Sequence, residues 1–326
     1  MRKISYSEAI REATEQMMEK DSNVFVIGQG VWSPWFVGKT CDKLLQKFGE
    51  KRVIDTPVSE AAMTGAAIGA ALAGLRPVLI HPRMDFMYLT FDQIINQAAN
   101  WHYMFGGKIN VPLVIRGIIN RGGEQGAQHS QALQAIFAHI PGLKVVMPAT
   151  PYDAKGLLVS AVQDENPVIY IDDRWLYEQE GDVPEEIYSV PIGKGVIRKE
   201  GKDVTVVAVS YLVPEALKAA EDLEKKGINI EVIDLRTVKP LDKEIIFNSV
   251  KKTGRLVVCD TGWQAGGISA EISALVSENI FESLKSPIER VALPDAPAPA
   301  SSVLEKEYYP NKDTIIKAIK NQIFTK

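Results

Sequence analysis

The feature that most constrains the fold is a regular alternation of short apolar runs with longer segments of helical periodicity. Runs rich in Val and Ile, such as VFVIG at 24–28 and PVLI at 77–80, are separated by helical patterns of about 10 to 15 residues. Strands that are apolar on both faces and separated by helices form parallel sheets with helices on both sides. The sequence therefore predicts an α/β fold of three-layer α/β/α architecture with mostly parallel sheets.

The alternation is interrupted once, after Tyr170. The segment 172–195 contains Pro, Gly and acidic residues without helical periodicity, which is typical of a linker. Because a single core seldom grows beyond about 250 to 300 residues, we predict two α/β domains, residues 1–185 and 186–326. The predicted strands of the two domains are 24–28, 77–80, 112–117, 143–148, 167–171, 204–210, 228–235 and 255–260. The predicted helices are 6–20, 59–74, 90–104, 131–138, 151–163, 213–226, 241–252 and 266–280.

Composition excludes several classes of protein. The chain has 37 basic and 41 acidic residues and no cluster of Lys and Arg, so we expect no nucleic-acid partner. Its longest apolar run, 61–75, is shorter than the roughly 18 residues that cross a bilayer, so we expect no membrane span. Cys41 and Cys259 lie far apart without a CxxC motif, which favours free thiols in a reducing compartment. The expected location is the cytoplasm.

A helix of small residues is predicted after Pro57, with Ser59 able to cap it and Glu60 in its first turn. Gly65 and Gly69 share one face of this helix, which Ala61 and Ala73 continue, so another helix could approach closely. This face indicates either tight internal packing or a subunit interface. Glu60 could complement the helix dipole, or, if buried, share a proton with a bound heterocycle.

All four histidines lie between His81 and His139. His129 follows the Gly-rich loop NRGGEQGAQ, where an imidazole is approachable and function is common. His139, at a predicted helix end, is interpreted as structural, and His102 as a packing or interface residue. The role of His81 stays open. The spacing of these residues does not indicate a zinc site.

Several blocks of the chain resemble one enzyme family. They are RVIDTPVSEAAMTGAAIGAALAGLRPV, MDFMYLTFDQIINQAAN, AQHSQALQAIFAHIPGLKVVMPATPYDAKGLL and EVIDLRTVKPLD. Together they resemble the beta subunit of the thiamine-diphosphate-dependent decarboxylase component of 2-oxo acid dehydrogenase complexes, in the transketolase-like superfamily. The similarity runs from about Tyr6 to Ile323. It implies an N-terminal domain that binds the pyrimidine end of thiamine diphosphate and a transketolase-type C-terminal domain.

The resemblance implies a role for individual residues. Glu60 matches the glutamate that hydrogen-bonds a pyrimidine nitrogen and activates the cofactor. Phe86 matches the aromatic residue that stacks on the pyrimidine, and Val58 matches an apolar wall of the same pocket. His129 matches a histidine that reaches the thiazolium side and moves protons during acyl transfer to a lipoyl group.

A potassium ion is a further implication of the resemblance. The family often holds this ion with backbone carbonyls, and the matching positions are Leu113, Ala161, Asp164 and Asn166. Because any residue supplies a carbonyl, the alternative is an ordinary helix-to-strand turn.

The diphosphate half of the cofactor needs another chain. In the family a GDG motif and a later Asn hold magnesium, whose ligands are oxygens, and this chain contains no GDG. The resemblance therefore implies an alpha subunit that carries the GDG and Asn, in a tetramer of two alpha and two beta chains. A lipoyl acyltransferase core is a further partner that it implies.

The chain departs from the family pattern at three places. Gln29 and Gly30 replace an acidic pair after the first strand, LIHPRMD lacks the usual acidic residue and aromatic, and CDTGWQAGG replaces a His-Glu start. These departures keep open an alternative, half of a split transketolase-like or acyloin-forming enzyme. A non-catalytic assembly subunit is a third hypothesis, which the presence of Glu60, Phe86 and His129 disfavours. The sequence does not specify the 2-oxo acid.

Overall fold

The computed structural model describes residues 1–324 of the chain. The strands are β1 (Arg2–Ser5), β2 (Val24–Gly28), β3 (Val53–Asp55), β4 (Arg76–His81), β5 (Val114–Ile119), β6 (Lys144–Val146), β7 (Val168–Asp173), β8 (Glu180–Val183), β9 (Val196–Lys199), β10 (Val204–Ala208), β11 (Ile230–Asp234), β12 (Thr237–Lys239), β13 (Leu256–Trp263) and β14 (Glu289–Leu293). The helices are α1 (Tyr6–Lys20), α2 (Leu44–Phe48), α3 (Glu60–Leu72), α4 (Trp101–Met104), α5 (Gln134–His139), α6 (Pro151–Gln163), α7 (Leu212–Glu224), α8 (Lys243–Thr253), α9 (Ile268–Ile280), α10 (Ser302–Tyr308) and α11 (Lys312–Phe324).

The chain divides into two compact units. The first contains residues 1–121 and 128–192, and the second contains 122–127 and 193–326. The division after 192 lies beyond the predicted domain boundary between 185 and 186, which stays a prediction.

A parallel sheet forms the centre of the first unit. Its strand order is β6-β7-β5-β4-β2-β3, and every neighbouring pair is parallel. Val26, Val78, Val114 and Val168 stand in register across four of these strands. Strands β2, β5 and β7 are buried along their whole length, as is β4 after its first residue. Strands that are covered on both faces can be apolar throughout, as strands in a sheet between two helical layers are. Their complete burial confirms the predicted α/β architecture.

Helices α1 and α6 pack together beside this sheet. Ser5 and Glu8 form a capping box that begins α1, and Thr150 caps α6, whose first residue is Pro151. The Lys155 ammonium is fully buried between the helices and donates to Glu12 Oε1 at 2.6 Å. A buried cation therefore has the carboxylate partner that it needs.

The second unit contains a five-stranded sheet in the order β14-β13-β10-β11-β9. Strands β14, β13, β10 and β11 are parallel to one another, and β9 pairs antiparallel with β11. Within this unit the backbone N–H of Glu124 donates to the Glu305 carboxylate at 3.1 and 3.2 Å. The N–H of Ser302 donates to Glu124 Oε1 at 3.2 Å. These bonds fix the Gly-rich segment 122–127.

Two predicted elements are wrong in part. The predicted linker 172–195 contains β8, which pairs antiparallel with β1, and both are missing from the predicted strands because neither has an apolar pattern of its own. The predicted helix 90–104 is instead a 3₁₀ turn (Met84–Thr90), a π-helical segment (Asp92–Ala98) and α4. The Asn100 side chain donates to the carbonyl of Ile95 at 3.0 Å, which satisfies a carbonyl where the helix widens.

Among residues 1–324 no helix combines the length and the apolar character that a membrane crossing requires. The cytoplasmic location stays a prediction.

Candidate functional site

The structure brings two of the predicted site residues into contact. Phe86 lies in the 3₁₀ turn after β4, and His129 lies in the loop after β5. Their ring centroids are 5.5 Å apart and their planes make an angle of 85°, so the rings meet edge to face. The contact forms because β4 and β5 are parallel neighbours, whose carboxyl ends reach the same edge of the sheet.

Asp85 and Tyr88 hold the loop that carries His129. Asp85 Oδ1 accepts a hydrogen bond from the backbone N–H of Gln131 at 3.0 Å, and the Tyr88 hydroxyl donates to Gln131 Oε1 at 3.0 Å. The other oxygen of Asp85 is buried without a partner. Burial raises the pKa of Asp85, while the bond from Gln131 and the nearby His129 oppose that rise. Sequence reasoning missed Asp85, although an acid directly before the stacking aromatic is a usable signal.

Glu60 begins α3, as predicted, and is 7% exposed. Ser59 occupies the cap position, but its side chain makes no capping bond, so that part of the prediction is wrong. Helix α3 packs against the turn that carries Phe86. Within residues 1–324 no donor reaches the Glu60 carboxylate. The residue as a whole is mostly buried, but its carboxylate oxygens are not among the enclosed ones, so a ligand that donates a hydrogen bond could reach this position.

His81 contacts α3 one turn after Glu60 and is almost completely buried. It ends β4 and is 1% exposed, with Nε2 at 3.3 Å from the hydroxyl of Thr64, one turn along α3 from Glu60. Its Nδ1 is buried without a partner. Burial lowers the pKa of His81 to about 3, so the imidazole is neutral at physiological pH.

The two remaining histidines, His102 and His139, each belong to a short helix. His102 Nδ1 lies 3.1 Å from the carbonyl of Ile109 and 2.9 Å from Asn110 Oδ1, so it holds the turn that follows α4. His139 is the last residue of α5 and is exposed, where an imidazole faces open carbonyls.

Val58 and the small-residue face of α3 are open to solvent. Val58 is 69% exposed, so its role as a pocket wall requires a covering group and stays a prediction. A Cβ built on Gly69 would meet no atom within 4 Å, and one on Gly65 would meet only Gln93 Cγ at 3.9 Å. The internal-packing interpretation of this face is therefore wrong, and the subunit-interface interpretation stays a prediction.

The four carbonyls predicted to hold potassium lie at the end of α6 and beside β5. Leu113 O accepts from the N–H of Val168 at 3.0 Å, and Ala161 O accepts from the N–H of Asp164 at 3.3 Å. Asp164 O accepts from Arg76 Nη1 at 3.2 Å, so a guanidinium already faces this turn. The side-chain oxygen of Asn166 is buried without a partner. Each carbonyl oxygen retains a second lone pair, and the potassium site stays a prediction.

A buried ionic network that the sequence did not indicate supports the loop after β2. Arg116 Nε and Nη2 donate to both oxygens of Asp172 at 2.8 and 2.7 Å. Arg116 Nη1 donates to the Thr40 hydroxyl at 2.7 Å, and Nη2 donates to the Tyr177 hydroxyl at 3.0 Å. Both charged side chains are almost completely buried. The network fixes Thr40 and so anchors one end of the loop that carries Gln29 and Gly30.

Comparison with known proteins assigns both units. Residues 2–179 match the transketolase pyrimidine binding domain, and residues 193–315 match the transketolase C-terminal domain. The acetoin:2,6-dichlorophenolindophenol oxidoreductase subunit beta of Bacillus subtilis (strain 168) is 45% identical over 327 residues, which cover 97% of this chain and 96% of the relative. The pyruvate dehydrogenase E1 component subunit beta of Rickettsia bellii (strain RML369-C) is 44% identical and covers 99% of each chain. The 2-oxoisovalerate dehydrogenase subunit beta of Bacillus subtilis (strain 168) is 43% identical, covering 97% of this chain and 98% of the relative.

This chain belongs to the beta-subunit family of the thiamine-diphosphate-dependent 2-oxo acid dehydrogenases. The predicted family, fold class and enzyme class are thus confirmed. The beta subunit also shares its fold with a solved structure described as "Split gene transketolase, inactive beta4 tetramer", with a TM-score of 0.79, 24% identity and 98% coverage of both chains. At that identity the likeness concerns the fold alone. The roles of Val58, Glu60, Phe86 and His129 in this beta subunit stay predictions.

Proposed function

We propose that the chain supplies the pyrimidine half of the active site of a 2-oxo acid dehydrogenase component, which decarboxylates a 2-oxo acid oxidatively and passes the acyl group to a lipoyl group. The observation that carries the proposal is the contact of Phe86 with His129 in a turn against which α3 packs, the helix that begins at Glu60, whose carboxylate accepts no hydrogen bond from residues 1–324. An aromatic face, an imidazole and an available carboxyl group are the groups that an aminopyrimidine and a reacting carbonyl need.

Each residue has a distinct part in this proposal. Thiamine diphosphate, when bound, supplies the nucleophilic carbon that attacks the carbonyl of the substrate. The Glu60 carboxyl group hydrogen-bonds a pyrimidine nitrogen, a partner that residues 1–324 do not supply. Phe86 stacks on the pyrimidine, and Val58 closes the pocket from the side. His129 gives and takes protons at the substrate end, since imidazole changes its charge near neutral pH.

The proposal includes an alpha subunit. The chain has no GDG motif for the magnesium-diphosphate half, so a second chain has to supply it. Two exposed features support a partner next to the site, namely Val58 and the open face of α3. We propose a tetramer of two alpha and two beta chains, with a lipoyl acyltransferase core as a further partner.

Acetoin is a second candidate donor, because a relative at 45% identity is named for it. Half of a split transketolase-like enzyme remains an alternative, supported by likeness of fold at 24% identity.

The test is to co-purify the chain with an alpha subunit that carries the GDG and Asn and to measure turnover of pyruvate, 2-oxoisovalerate and acetoin with an artificial electron acceptor. Glu60→Gln should lower turnover by about 100-fold or more, since an acid–base group is lost. Glu244→Gln is the matched control, because Glu244 lies in the first turn of another helix, is exposed, and should keep full activity. Wild-type turnover by Glu60→Gln would refute the role of Glu60. Wild-type complex without activity on any of these donors would refute the proposed function.

A further inference from the structure

Two arginines beside the candidate site form no ion pair with a carboxylate of residues 1–324. Arg116 and Arg121, on and after β5, pair with the buried Asp172 and Asp173 at 2.7 and 2.9 Å. Arg83, which follows β4, and Arg174, which directly follows β7, form no ion pair with any of residues 1–324. Because β4, β5 and β7 are neighbouring parallel strands of the sheet, Arg83, Arg121 and Arg174, which follow their carboxyl ends, lie at one edge of the sheet.

Neutral groups hold both unpaired guanidinium groups in place. Arg83 Nη1 donates to the carbonyl of Pro82 at 2.9 Å, and its Nε is buried without a partner. Arg174 Nη2 donates to the carbonyl of Phe36, and its Nε is also buried without a partner. The Arg174 guanidinium lies 5.9 Å from the ring centroid of Tyr177. Each side chain is thus half-buried and held by neutral groups, and neither forms an ion pair within residues 1–324.

The two charges lie close enough to affect each other. Burial lowers the pKa of Arg83, and the Arg174 guanidinium lowers it further, while Asp85 raises it. Asp85 also interacts electrostatically with His129. Arg83 therefore shares the neighbour Asp85 with His129, and it lies three residues before Phe86 in the sequence.

Such a pair favours a small anion. Two guanidinium groups at the same edge of a sheet repel each other at low effective dielectric, and an anion that binds both removes the repulsion. Arginine binds carboxylate and phosphate through parallel N–H donors. Half-burial of both side chains favours a group that reaches in from solvent, rather than a flat protein surface.

We propose that Arg83 and Arg174 bind an anionic group, carboxylate or phosphate, that the substrate carries in addition to its reacting carbonyl. This inference rests on the proposed function and narrows its substrate class. The end of β2 is consistent with it, because Gln29 and Gly30 add no negative charge there.

The test uses the complex of alpha and beta chains and two matched substrate pairs. One pair is 2-oxoglutarate and 2-oxovalerate, which have the same number of carbon atoms and differ in the second carboxylate. The other pair is xylulose 5-phosphate and xylulose. In one of the two pairs we expect a higher kcat/KM for the substrate with the additional anionic group than for its matched analogue. The pair that shows this preference identifies the anion as carboxylate or phosphate. Arg83→Gln and Arg174→Gln should each lower that preference by about 10- to 100-fold, mainly through KM.

Arg11→Gln is the control, because Arg11 lies on α1 and has its own partner, Glu15 at 2.5 Å. Calorimetric binding of glutarate and inorganic phosphate to the wild-type complex gives a readout that is independent of turnover, and binding of one of them should be lost in both variants. The inference is overturned if neither ion binds, if the preference is unchanged in the variants, or if the variants lose the alpha subunit on purification. If the wild-type complex turns over none of the substrates but still binds glutarate or phosphate, the proposed function is refuted and the anion site is supported.

Discussion

Acidification should destabilise the first unit through the buried imidazole of His81. Its pKa is about 3 in the folded chain, because burial disfavours the charged ring, against the usual 6.5 in an unfolded chain. Below pH 6.5 the unfolded state therefore binds a proton that the folded state rejects. The contribution of His81 to stability is complete above pH 6.5 and is lost progressively as the pH falls toward 3.

The magnitude follows from the two pKa values. Between pH 7 and pH 5 the unfolded state gains a proton over roughly 1.5 pH units, and each unit corresponds to about 1.4 kcal/mol, so the loss is about 2 kcal/mol. His81→Leu should remove this component. The variant is expected to be less stable at pH 7, because the bond to Thr64 is lost, but to lose about 2 kcal/mol less on acidification.

The assay is urea unfolding at pH 7 and pH 5, followed by tryptophan fluorescence. Of the five tryptophans, four lie in the first unit, so the signal reports mainly on the unit that contains His81. These four are Trp32, Trp35, Trp101 and Trp175. His139→Gln is the control and should retain the wild-type pH dependence, because His139 is exposed. An equal loss of unfolding free energy in the wild type and His81→Leu would refute the reasoning.

Three further outcomes are expected. Arg116→Met should lower the free energy of unfolding by about 3 to 5 kcal/mol, because it leaves Asp172 buried and unpaired. In the same urea assay the double variant with Asp172→Leu should recover part of this loss, and additive losses from the two substitutions would contradict this explanation. Gly142→Ala should cost about 2 kcal/mol or more, measured by the unfolding midpoint, because φ is +86° there and a Cβ would clash with a backbone carbonyl. Neither cysteine should react with a thiol reagent in the native chain, since burial raises the pKa of Cys41 to about 11 and also raises that of Cys259; labelling before unfolding would contradict this.

Local patterns were enough to predict most elements of the fold. The buried strands β2, β4, β5 and β7 are visible as short Val- and Ile-rich runs, because a strand covered on both faces has to be apolar throughout. The start of α3 at Glu60 follows from Pro57, which restricts the backbone before it. Strand β8 was missed, because its residues, EGDV, are not apolar and only pairing with β1 makes them a strand.

The candidate site was predicted only in part. The motifs indicated Glu60, Phe86 and His129 one by one, and the contact of Phe86 with His129 depends on the adjacency of β4 and β5. No sequence spacing predicted the bond from Gln131 to Asp85, because its two partners are 46 positions apart.

The sequence by itself determined the family, the alternation of strands and helices, and the residue types available for chemistry, since each of these is written in short stretches of chain. Only the tertiary structure decided which charges are neutralised. Nothing in the sequence distinguishes Arg116 from Arg83. Strand β7 places Asp172 against Arg116, whereas Arg83 forms no ion pair with any of residues 1–324. Strand order determines these distances, and the free energy of a buried charge depends on them far more than on its neighbours in the sequence.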